Sequence, residues 1–63
     1  MNEHIDVRPG QIWRRKRDGK LVRITKYDAY WQDARWVGHS FKGKGVIWAW
    51  NLDNLYELVE EGS

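Results

Sequence analysis

The chain has no cysteine, a single proline and no long apolar run. Without cysteine, neither a disulfide framework nor a thiolate metal site can staple the fold. The two histidines, His4 and His39, are too few for a closed structural zinc site, so no metal and no cofactor is expected. The most apolar stretch, Val46-Ile47-Trp48-Ala49-Trp50, is far shorter than the ~20 residues of a membrane helix, and no hydrophobic leader opens the sequence. These absences lead to the expectation of a soluble, cytoplasmic protein with no membrane partner (host cytoplasm if phage-encoded).

Catalytic signatures are missing too. No GxGxxG, P-loop or HExxH pattern occurs. Ser40 beside His39 is the nearest thing to a nucleophile and its base, but neighbours on a strand point to opposite faces. Paired carboxylates occur only as Glu60-Glu61 at the end of the chain. The expectation is a protein that is not an enzyme.

At 63 residues there is room for one domain, burying about 60% of the surface its unfolded chain exposes. Nine aromatic residues, five of them Trp, enlarge that thin core, since each buried ring removes about 150–250 Å² from water. Residues 1–8 read as a flexible polar lead-in, with Ile5 and Val7 able to add an edge pairing. Residues 9–60 read as the domain and 61–63 as a tail.

The stretch from Gln11 to Tyr30 organises the chain. Two runs rich in β-branched and aromatic residues meet at Asp18-Gly19, where glycine supplies the φ a tight turn needs. This predicts strands at Gln11–Lys16 and Leu21–Ala29. Alternation in the second decays after Lys26, which marks a bulge or strong bend where the strand passes from one sheet to another. Further strands are expected at Arg35–Phe41, Val46–Trp50 and Leu55–Val59, with a turn at Lys42-Gly43-Lys44-Gly45. One helical turn at Asn51–Asn54 should precede the last strand; the competing reading makes Leu52–Val59 a helix. Five short strands in so small a chain predict an all-β, partly open SH3-like barrel with a one-turn helix before the last strand.

Pro9-Gly10-Gln11-Ile12-Trp13, the basic hairpin, Val22-Arg23-Ile24 and the close Leu52…Leu55-Tyr56-Glu57-Leu58 resemble the small SH3-like barrel proteins of bacterial and phage genomes. The resemblance covers about residues 9–59. It implies a barrel and a small accessory protein, and carries over no catalytic residue. In size and aromatic content the chain also resembles Tudor and chromo barrels.

Net charge is only +2, but its distribution is uneven. Residues 1–26 hold eight basic and three acidic side chains, and residues 27–63 hold three and six. A segregated surface of this kind attracts anions on one side. The five Trp together with Tyr27, Tyr30, Tyr56 and Phe41 exceed what a barrel this small encloses, and alternation sets Ile12 against Trp13, Trp36 against Val37 and Ile47 against Trp48. Either set outward leaves an apolar patch exposed. Basic groups neutralise phosphates while rings stack on bases, so the leading expectation is nucleic-acid binding by the hairpin. Arg14, Arg15, Lys16, Arg17, Arg23 and Lys26 would meet the backbone, with Trp13, Trp31, Trp36 and Trp48 offering rings. The alternative is a protein-interaction module that uses the aromatic patch on an acidic partner, as a modulator of a host protein or in a homo-oligomer. A third reading, an aromatic cage for methylated lysine, needs several rings around one cavity.

Overall fold

A computed structural model describes residues 6–62. The chain forms β1 (Ile12–Arg15), β2 (Leu21–Asp28), β3 (Asp33–Gly38), β4 (Lys44–Trp48), α1 (Ala49–Leu55) and β5 (Tyr56–Glu60). All five strands belong to one open antiparallel sheet in the order β4-β3-β2-β1-β5. The β1–β2 hairpin closes where the turn chemistry puts it. Gly19 takes φ +80°, and its N–H donates to the Arg15 carbonyl at 2.7 Å. The Lys20 N–H donates to Asp18 Oδ1 at 3.1 Å.

The bend in β2 is a bulge at Thr25. Ile24 faces Trp36 and Lys26 faces Arg35, so Thr25 is passed over in the ladder. One extra residue resets the alternation: Ile24 points to the core, and beyond the bulge Tyr27 does, while Lys26 points away. The break expected after Lys26 thus falls just before it.

Several boundaries differ from expectation. β3 runs from Asp33 to Gly38 instead of from Arg35 to Phe41, because the chain turns at Gly38, whose N–H donates to the Gly43 carbonyl at 2.8 Å. β4 begins at Lys44 and stops at Trp48. Ala49 and Trp50, expected on that strand, open α1, whose seven residues exceed the single turn expected. Ala49 and Leu52, three apart on one helix face, are both buried, so packing extends the helix backwards from Asn51. The last strand, expected at Leu55–Val59, forms one residue later: Leu55 ends α1, and Tyr56 leaves the helix to begin β5 against β1.

The core comprises Val7, Trp13, Val22, Ile24, Ala34, Ala49, Leu52 and Tyr56, with Tyr27, Trp36, Phe41 and Ile47 packed partly against it. Val7 draws residues 6–8 of the lead-in onto the body of the protein. The rest of the lead-in, with the expected pairing of Ile5, lies outside the described residues, as does Ser63.

Antiparallel order sorts the connections to two ends. At one end the 16–20 turn meets the α1–β5 junction, Lys16 N–H donating to the Leu55 carbonyl at 2.9 Å, and the loop after β3 meets β2, His39 N–H donating to the Leu21 carbonyl at 2.9 Å. At the other, the 29–32 turn meets the β4–α1 junction through Ala49 N–H and the Gln32 carbonyl, 2.8 Å apart.

Candidate binding surface

Ion pairing divides the basic residues into two groups. Arg14 donates from Nε and Nη2 to Glu57 Oε2 at 2.9 and 2.7 Å. Arg15 forks onto Asp18, Nε to Oδ1 at 3.0 Å and Nη2 to Oδ2 at 2.8 Å. The Arg15 guanidinium, helped by the Lys20 N–H, holds the Asp18 carboxyl well below the usual carboxylate range, and Asp18 raises Arg15 in return. Arg8 contacts Asp6 at 2.9 Å and Glu61 at 3.7 Å. Among the described residues, Lys16, Arg17, Lys20, Arg23, Lys26, Arg35, Lys42 and Lys44 form no ion pair. Arg14 and Arg15 therefore bring little net charge to a phosphate, whereas Lys16, Arg17, Arg23 and Lys26 keep theirs.

The rings divide as well. Trp13 is 4% exposed and lies in the core, its Nε1 donating to Gln11 Oε1 at 3.0 Å. A buried ring cannot stack on a base, which removes Trp13 from the contact surface expected for it. Trp36 is half-buried, lies over Gly45 and sits 6.1 Å from Phe41. Trp31 and Trp48 are exposed, together with Tyr30 and Trp50. Tyr30 and Trp31 meet edge to face at 4.8 Å, and Trp48 and Trp50 are tilted at 6.0 Å. The ring pairs share no member; among the described residues no three rings close the cage that a methylated lysine needs.

Strand register assembles four of the cations that form no ion pair among the described residues. On the face turned away from the core, Arg23 is opposite Val37 and Val37 opposite Lys44. In the next row Lys26 is opposite Arg35 and Arg35 opposite Val46. Asp28, Asp33 and Trp48 form the last row. A shallow groove of about 420 Å³ runs between Arg35 and Lys44 over Thr25, Val37 and Val46. Four cations, two valines and an exposed indole thus share one side of three strands.

Arg35, Lys44 and Trp50 were absent from the residues singled out in the sequence. The alternation Asp33, Arg35, Val37 and Lys44, Val46, Trp48 carried the signal for the first two. Trp50 shares the alternation of Trp48 in the sequence but is exposed on the first turn of α1 instead of on a strand. His39 and Ser40 lie in the loop after β3, where the Leu21 N–H donates to Ser40 Oγ at 3.4 Å. Among the described residues, no helix is long and apolar enough to cross a membrane. No family model, curated protein or solved structure matches the chain.

Proposed function

We propose that this protein is a non-enzymatic binding module whose exposed β2–β3–β4 face contacts single-stranded nucleic acid. The observation that carries the reading is the row structure on one face: Arg23, Lys26, Arg35 and Lys44, which form no ion pair among the described residues, ending at the Trp48–Trp50 pair. The cations neutralise phosphates and release counterions; the indoles stack on unpaired bases. Asp28 and Asp33 repel phosphate from the Trp48 row, which leaves the backbone over the four cations and the bases over the rings.

The same proposal takes the open sheet as a partly open SH3-like barrel. Its support is the strand order, with β5 beside β1, the β2 bulge that bends the sheet, and the short helix before the last strand. A small cytoplasmic accessory protein of a bacterium or phage is the setting that the sequence resemblance favours.

The test is a titration with a short deoxythymidine homopolymer, following intrinsic Trp fluorescence over a range of salt. Saturable quenching is expected, with log K falling against log salt at a slope of about −3, four phosphate contacts at about −0.7 each. Absence of binding at low salt, or a flat salt dependence, overturns the reading.

A further inference from the structure

The end of the molecule away from the Trp48–Trp50 pair carries a second recess. A groove of about 460 Å³ lies between the 16–20 turn and the α1–β5 junction, within the size range of ligand-binding clefts. Ile47, Leu55 and Tyr56 line its apolar part, and Lys16 and Arg17 stand at its edge. We propose that this groove binds an acidic peptide segment that inserts one bulky apolar side chain.

Three observations lead there. The two walls are fixed to each other by the 2.9 Å bond from Lys16 N–H to the Leu55 carbonyl, so the groove is formed before any ligand arrives. Leu55 ends a helix yet remains 56% exposed, and covering it would remove apolar surface from water. The charge at the rim has one sign: Arg15 is already neutralised by Asp18, while Lys16 and Arg17 form no ion pair among the described residues. Carboxylates flanking an apolar anchor complement that arrangement.

The lining also separates a peptide from a nucleic acid. The one aromatic residue in the groove, Tyr56, is 5% exposed, so no free ring face is offered to a base. An aliphatic recess beside two cations matches a side chain with acidic neighbours better than a stacked nucleotide. This site is separate from the β2–β3–β4 face and does not depend on the reading given to that face.

The experiment uses the peptide acetyl-EEFLEE-amide, labelled for fluorescence anisotropy, with amide NMR shifts to locate it. Saturable binding is expected, with shifts at Lys16, Arg17, Asn54 and Leu55. Leu55→Asp, at an exposed position, should weaken binding at least about tenfold, as should Lys16→Glu combined with Arg17→Glu. Arg35→Glu, on the other surface, should leave peptide affinity unchanged while weakening oligonucleotide binding. The proposal is overturned if millimolar peptide does not saturate, or if EESSEE, lacking the anchor, binds equally well. Shifts confined to the β2–β3–β4 face overturn it too, as does a deoxythymidine homopolymer that shifts the groove amides where the peptide does not.

Discussion

The side-chain oxygen of Gln11 lies 3.0 Å from the indole Nε1 of Trp13, and neither residue is open to solvent. That oxygen also accepts the Arg8 N–H at 3.0 Å, while Gln11 Nε2 donates to the Asp6 carbonyl at 2.9 Å. One buried amide thus joins the segment before β1 to the central core ring. Every polar atom involved is satisfied, which is what makes a buried glutamine tolerable.

Gln11→Leu should show how much this joint contributes. The substitution strands the Trp13 Nε1–H in the core and frees the Arg8 and Asp6 backbone. An unmet buried donor costs about 1–3 kcal/mol, so a loss of about 2–3 kcal/mol in urea unfolding is expected, together with faster amide exchange at Val7 and Arg8.

Acid should act on the hairpin through Asp18. Its folded-state pKa lies below the unfolded one, so its contribution is complete above the ordinary carboxylate range near pH 4 and is lost as pH falls below that, through the depressed value. Asp18→Asn should flatten the fall of stability with pH in this acid window. Thermal unfolding of both proteins between neutral and strongly acid pH checks it, and an Asp18 carboxyl titrating at an ordinary pH by NMR would contradict it.

Two glycines are held by their neighbours. A Cβ on Gly38 would collide with the Phe41 backbone carbonyl, and one on Gly45 would come within 2.9 Å of the Trp36 ring. Gly38→Ala must displace backbone, so a loss of about 1–3 kcal/mol is expected. Gly45→Ala should cost less, because a ring can tilt, and should appear as a changed near-UV spectrum of Trp36.

On the proposed nucleic-acid face, Arg35→Glu and Lys26→Glu should each weaken oligonucleotide binding and reduce the salt slope by at least about 0.7. Arg14→Ala should change the slope little, since Glu57 already neutralises that guanidinium. Trp48→Ala should cost about 1–3 kcal/mol of binding, the range for a stacked base. Trp13 should stay unquenched throughout.

Much of the fold is legible because its signals are local. Asp18-Gly19 closes its hairpin since glycine alone takes that φ cheaply. The decay of alternation near Lys26 shows the bulge because an inserted residue shifts every later side chain by one face. The Arg15–Asp18 pair was not read in advance, although it spans only a turn: Arg15, expected to meet a phosphate, is held by Asp18. The start of α1 was not legible: Ala49 and Trp50 continue an apolar run that suits a strand, and only the burial of Ala49 beside Leu52 turns it into a helix.

Of the residues expected at a contact surface, Trp13 lies in the core and Arg14 and Arg15 are ion-paired, while Arg23 and Lys26 of the hairpin lie beside Arg35 and Lys44 on β2–β3–β4. From the chain alone one could determine that the protein is mostly β, where its first hairpin turns, and that its charge is segregated. Those properties depend on neighbouring residues. Only the tertiary structure decided that Trp13 is inside and Trp48 outside, and that Arg14 is neutralised by Glu57, 43 residues away. Alternation gives two faces without saying which is buried; that choice, like a pairing between distant charges, is made when strands come into register.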